Sequence, residues 1–457
     1  MRAFQQVAAA ISIVSAATAA ASSGRIEIPY AEARAIVEAH QADLPRELRS
    51  LDARALERAW PDWVSRHNAD IRARLAQGDE DTLVNLWLYG TSFTTLPRVT
   101  DREAAQLAAP EKIQDLLLAR LDDFVTALAQ PGTNERLQFG RDLITRKGFG
   151  LATAAGRDEA KAYLVEIRER VIAENERYRR ASTSPSQYPT LFRDRGLSSD
   201  TRLASSFAID KALAALARSG WFSSGGIKRV AIVGPGLDFT DKAEGYDFYP
   251  LQTIQPFAVI DSLTRLNMAA LADLRITTLD LSPRVNRHLA TARRRASLGA
   301  AYVIQLPLAN DQASHEWHPD LVAYWQRFGS MIGKAVPATP APAVAGTVRV
   351  RAIAVRPSIV TAVTPEDVNI IIERLDPLPD NERFDLIIAT NILVYYDAFE
   401  QSLALANISK MLKPGGFFLT NYAVTPRPPM ETTASITAPV FFDKEQNGDT
   451  VYAYRRQ

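Results

Sequence analysis

The chain has no cysteine in its 457 residues. That excludes disulfides, thiolate nucleophiles and cysteine-held zinc or iron–sulfur centres together. It leaves the compartment open, because exported proteins need not carry disulfides. An excess of one charge is also missing. Lys plus Arg number 53 against 52 for Asp plus Glu, a net charge of +1, so bulk electrostatics gives no reason to expect a nucleic-acid partner. The densest basic run, Arg293-Arg294-Arg295, reads as a solvated helix face. Histidine is scarce, and His315-Glu-Trp-His318 has H-E-x-H spacing with Pro319 directly after it. This is not the H-E-x-x-H spacing, and the proline interrupts the one-face helical pairing that motif needs, so no metal is expected. A G-x-S-x-G elbow and a G-x-x-x-x-G-K phosphate loop are both absent.

Long apolar runs are missing too, so no transmembrane segment is expected. Val7–Ala21 is apolar or small throughout but too short to span a bilayer comfortably. It follows Arg2 and ends in Ala19-Ala20-Ala21, the pattern of a secretory leader over residues 1–21. The expectation is therefore an exported, periplasmic or secreted protein. An alanine-rich terminus on a cytoplasmic protein is the alternative.

What is present falls into two compositional halves. Residues 22–200 carry helical periodicity, as in Leu116, Leu117, Leu121 and Phe124, with strand-like runs nearly absent. They read as an all-helical N-terminal domain with a Ser/Pro-rich linker near 181–200. Within it, Gly90-Thr-Ser-Phe-Thr94 is a compact polar loop that reads as a turn between helices or as a binding loop. From residue 201 to 457 strands and helices alternate. The fold class expected is α/β: a mostly parallel sheet closed by a C-terminal antiparallel hairpin, Ser435–Phe442 with Thr450–Tyr454 turning at Asn447-Gly448.

In the second half, Arg229–Val233 reads as a strand running into Gly234-Pro-Gly236, where glycine lets the backbone turn sharply and approach a ligand. Arg275–Asp280 reads as a second strand ending in a carboxylate, which offers two acceptor oxygens to a diol or caps the next helix. Val368–Ile372 reads as a third strand, followed by Asp376, which also suits a turn before proline. Phe384–Ala389 is a buried strand ending in the polar pair Thr390-Asn391. A helical run then stops at Leu412-Lys-Pro-Gly-Gly416 before a further strand at Phe417–Leu419. Two stretches lengthen this series. Phe239–Gln255 brings Tyr246, Phe248 and Tyr249, and either closes over a substrate or packs on itself. Thr347–Val355 reads as an extra strand.

The segment Phe384–Asn421, with the glycine turn before it, resembles the motifs of class I S-adenosylmethionine-dependent methyltransferases. Its wording is closest to the chemotaxis-receptor glutamate methyltransferases. The resemblance implies a Rossmann-like domain with S-adenosylmethionine as cofactor. It implies contacts from Gly234, Gly236, Asp238 and Thr390, ribose binding by Asp280, adenine binding by Asp376, and Asn391 facing the methyl donor and acceptor. Ile232 and Asp238 depart from the family's acidic and third-glycine positions. The reaction implied is methyl transfer by direct displacement to a small-molecule or protein acceptor. Two other readings stay open: a non-catalytic binding protein of the same fold, and an NAD(P)-dependent oxidoreductase. The latter needs G-x-G-x-x-G and an acid about 20 residues on; Phe239 replaces that third glycine.

Overall fold

The computed structural model describes residues 24–99, 110–181, 195–201, 203–240, 246–309, 316–425, 429–441 and 444–457. The expected leader, most of the expected linker and His315 lie outside them. No described helix is long and apolar enough to cross a membrane.

The largest sheet has seven strands. These are β2 (Arg229–Val233), β3 (Arg275–Leu279), β7 (Val363–Glu366), β9 (Phe384–Ala389), β10 (Leu412–Thr420), β11 (Met430–Phe441) and β12 (Lys444–Arg456). Their order is β11-β12-β10-β9-β2-β3-β7. The five strands from β10 to β7 are parallel, and β12 and β11 close the sheet antiparallel. Phe441 pairs with Lys444 and Gly448 with Pro439. Asn447-Gly448, the turn expected from the sequence, therefore lies within β12.

Strand alternation sorts the core into two layers. Val230, Ile232, Leu386 and Ile388 belong to one cluster, and Ala231, Val233, Ile387 and Ala389 to the other. The first layer is covered by α7 (Leu203–Arg218), α8 (Gln255–Arg265) and α9 (Pro283–Ser297). The second is covered by α12 (Ala398–Met411) and by N-terminal pieces, α1 (Tyr30–Ala39) and the first half of α3 (Ala53–Tyr89). Residues 28–71 thus share a core with the sheet, and the core does not divide at residue 200. A short strand β1 (Gly24–Glu27) also crosses that division, pairing with β8 (Glu373–Asp376). Helix α2 (Arg46–Arg49) lies between α1 and α3. The second half of α3 packs with α4 (Pro110–Ala129), α5 (Glu135–Arg146) and α6 (Ala154–Ala181) as a separate bundle, whose cluster also takes in Phe239.

One strand expected from the sequence is misplaced. Val368–Ile372 is a buried turn, and the sheet position beside β3 belongs to β7, with Ile276 opposite Val363. The run is apolar because it packs under α12. Asn407 of that helix donates to the carbonyls of Ile370 (3.1 Å) and Ile371 (3.2 Å), giving them the partners a neighbouring strand would supply. β7 escaped notice because it contains Pro365, which is tolerated only at a sheet edge. Between α9 and β7 the chain inserts β4 (Tyr302–Ala309), α10 (Pro319–Arg327), β5 (Gly333–Val336), β6 (Val348–Val355) and α11 (Pro357–Thr361). Its three strands form an antiparallel sheet of order β4-β6-β5, so the extra strand at 347–355 is in a sheet of its own.

Candidate cofactor cleft

Adjacent parallel strands β2 and β9 send their following helices to opposite faces: α8 packs in the first layer and α12 in the second. This is a topological switch point, and a crevice opens there beyond the carboxyl ends of the strands. A cleft of roughly 730 Å³, counting space open to solvent, lies at that point, within the usual range for small-molecule sites. Gly234, Gly236, Asp280, Thr390 and Asn391 all line it.

The two glycines are there for room. Gly234 (φ 61°) and Gly236 (φ 66°) adopt left-handed backbone. A Cβ on Gly234 would sit 2.3 Å from Ile392 Cδ1, and one on Gly236 would sit 2.7 Å from the Ser199 carbonyl oxygen. The second clash has a consequence, because Leu197–Thr201 lies across the glycine turn. Leu237 N donates to Ser199 O (2.7 Å) and Thr201 N to Leu237 O (2.9 Å). A side chain at 236 therefore disturbs this packing as well as filling the cleft.

Asp280, at the tip of β3, is 7% exposed. Its Oδ1 accepts from Ser282 N at 2.7 Å. Burial pushes its pKa up from 3.8 to about 7, while N–H groups of Ser282 and Gly236 and the Arg284 guanidinium pull against that rise. A carboxylate held in this state gains from any ligand that donates hydrogen bonds to it.

At the tip of β9, Thr390 Oγ1 accepts from Gln255 Nε2 (2.7 Å), fastening the strand end to the start of α8. Asn391 has φ 58°, a left-handed conformation that asparagine tolerates better than most residues. Its N–H donates to Asn421 Oδ1 and its Oδ1 accepts from Asn421 Nδ2, both at 2.7 Å. The amide at the tip of β10 thereby fixes the amide at the tip of β9.

Two expected cofactor contacts sit elsewhere. The Asp238 carboxylate accepts from Tyr249 OH and Gln252 Nε2, both at 2.8 Å, and does not line the cleft. Asp376 lies in β8 and pairs with Arg374 at 2.9 Å, also away from the cleft. Its strand belongs to the small β1–β8 sheet, so the adenine assignment loses the strand tip on which it depended. Val368, Asn369 and Ile370 line the cleft near that end instead.

Sequence reasoning missed the wall supplied by the N-terminal half. Leu75 of α3 lines the cleft, as do Leu197 and Asp200. A signal existed in Gly78, a glycine inside a helical run: a Cβ there would lie 1.9 Å from Leu197 O. Tyr395 and Tyr396 close another side, and the Arg74 guanidinium lies 5.5 Å from the centre of the Tyr396 ring. Among the described residues no group of three His, Asp or Glu is placed to hold a metal ion. His318 caps α10, accepting from Asp320 N at 3.2 Å.

No protein-family model and no curated protein matches this sequence. Solved structures similar to it include N-methyltransferase NodS from Bradyrhizobium japonicum WM9. That likeness has 12% identity over 54% of this chain and 96% of that one, with a TM-score of 0.23. The glycopeptide N-methyltransferase MtfA complexed with S-adenosyl-L-methionine shares 13% identity over 56% of this chain and 79% of that one, TM-score 0.21. The mitomycin 7-O-methyltransferase MmcR shares 10% identity over 89% of this chain and all (100%) of its own, TM-score 0.27. These neighbours are methyltransferases.

Proposed function

We propose that this protein binds S-adenosylmethionine in the switch-point cleft and transfers its methyl group to an acceptor. One observation carries the reading: among the described residues, the charged ones lining the cleft are two carboxylates, Asp200 and Asp280, with no Lys, Arg or His beside them in the lining. Asp200 is offset by the Arg284 guanidinium at 3.9 Å, so such a cleft suits a ligand that donates hydroxyl hydrogen bonds to Asp280. It lacks the helix N-terminus directly after the glycine turn that dinucleotide sites use to hold a pyrophosphate. Here residues 237–254 intervene before α8, which sets the oxidoreductase reading aside.

The residues present fit the cofactor. Asp280 would accept from the ribose hydroxyls, Gly234 and Gly236 would leave the backbone close to the ligand, and Asn391 would border the acceptor. The bound cofactor supplies an electrophilic methyl on sulfur. The protein's part is to exclude water and hold the acceptor in line, a contribution of proximity and orientation. Asn391, locked by Asn421, orients without titrating. If the acceptor is a carboxylate, no general base is required; an amine or hydroxyl acceptor needs one. The discriminating experiment is calorimetric titration of S-adenosylmethionine and NAD+ into the purified protein. Micromolar binding of the first alone supports the reading; binding of neither favours a non-catalytic protein on the same fold.

A further inference from the structure

We infer that helix α5 of the N-terminal bundle is the positioning element for the glycine turn, with Arg136 and Phe139 as its positioning residues. The inference rests on the cofactor reading above. Arg136 is 3% exposed. Its guanidinium donates to three carbonyls of one loop, those of Asp238, Phe239 and Tyr249. Arginine's planar fork can satisfy several acceptors in fixed directions; lysine has a single nitrogen. Nearly one turn further along α5, the Phe139 ring meets that of Phe239 edge-on at 5.3 Å. The Arg284 guanidinium packs against both, 4.3 Å from the Phe139 centroid and 4.8 Å from that of Phe239. Arg284 stands in the first turn of α9, two residues beyond the Ser282 N–H that Asp280 accepts. One bundle helix therefore touches both the loop after the glycines and the helix start behind the ribose-binding carboxylate.

The far end of the same loop is also held by the bundle side. Asp247, 2% exposed, accepts from the N–H (2.6 Å) and hydroxyl (2.7 Å) of Thr91 and from those of Ser92 (3.2 and 2.6 Å). The polar loop at Gly90–Thr94 thus has a partner in the aromatic insert. Clamping from outside is what a turn built on Gly234 and Gly236 requires. Glycine restricts its own backbone least, so the shape of such a turn must be imposed by its surroundings.

The plain alternative is that these contacts only join bundle to sheet. It predicts that any loss of bundle stability weakens binding alike. The test compares wild type, Arg136→Lys, Phe139→Leu and, as a control, Leu164→Ala in the buried core of α6. Two quantities are read: S-adenosylmethionine affinity by calorimetry, and amide hydrogen exchange over residues 234–239 without cofactor. Arg136→Lys and Phe139→Leu are expected to weaken affinity roughly tenfold and to speed exchange in the turn. Leu164→Ala is expected to lower the melting temperature and leave both unchanged. Equal losses in Leu164→Ala and Arg136→Lys overturn the inference, as does an Arg136→Lys protein with wild-type affinity and exchange. Should Arg136→Lys fail to fold, Phe139→Leu carries the same comparison. Should wild type bind no cofactor, the functional proposal fails, and the exchange data alone decide the positioning role.

Discussion

The two ends of the large sheet are made by the same strands and are chemically opposite. Around the amino ends, Lys228, Arg229, Arg275 and Lys413 gather with Asp273 at the surface. Asp385 neutralises part of that charge, accepting from Lys413 Nζ at 2.7 Å and from the N–H groups of Lys228 and Arg229 at 2.8 and 2.9 Å. At the carboxyl ends the described charges lining the cleft are the carboxylates Asp200 and Asp280, with Arg284 beside them, and burial pushes the Asp280 pKa up to about 7. Water screens the first set more fully than the second, so a ligand's hydrogen bonds count for more at the second. The difference arises from connectivity. The helices after β2 and β9 part to opposite faces at the carboxyl ends, leaving a crevice there.

This contrast can be broken by mutation, and the largest effect is expected at the glycine turn. Gly236→Val places a branched side chain at φ 66° against the Ser199 carbonyl. Thermal or denaturant unfolding should show a loss of about 2–4 kcal/mol, with binding lost as well. A variant as stable as wild type would show that Leu197–Thr201 does not rest on the turn. Next comes Asp280→Ala. It should weaken S-adenosylmethionine binding by about 1–3 kcal/mol, because a charge-assisted pair of hydrogen bonds goes; calorimetry reads this directly. Asn391→Ala should cost about 1–2 kcal/mol of stability through its left-handed backbone, and Asn391→Gly should spare that part. Finally, Lys413→Ala at the opposite end should change stability by no more than about 1 kcal/mol and leave cofactor affinity alone. A binding loss there would erase the distinction between the two ends.

The large sheet was legible because its strands announce themselves. Arg229–Val233, Arg275–Leu279 and Phe384–Ala389 are apolar runs ending in the residue types a strand tip uses, and all three lie where expected. The cleft-facing side chains Asp280, Thr390 and Asn391 came with them, because a strand's end fixes where the next residues point. Legibility failed where burial and pairing part company. Val368–Ile372 is as apolar as a strand but takes its hydrogen bonds from Asn407, a partner distant in sequence. β7 hides behind Pro365. The helical wall of the cleft was unreadable for a related reason: periodicity shows that a helix has an apolar face and says nothing of what covers it. Residues 28–71 looked like part of a helical domain, yet they cover one face of the sheet.

The central claim is that the buried Asp280 carboxylate receives the cofactor, and its titration offers the most direct test. In the folded protein without cofactor its pKa lies near 7 instead of 3.8. The folded state therefore holds the proton more tightly than the unfolded one, and stability declines as pH rises through that window. A ligand donating hydroxyl hydrogen bonds needs the ionised form, so affinity should run the other way. The measurement is the dissociation constant of S-adenosylmethionine from about pH 5 to about pH 9, for wild type and Asp280→Asn. Wild type should bind more tightly as pH rises to about 7 and level off above it, while Asp280→Asn should bind weakly and without that pH step. Identical curves for the two proteins would contradict the account.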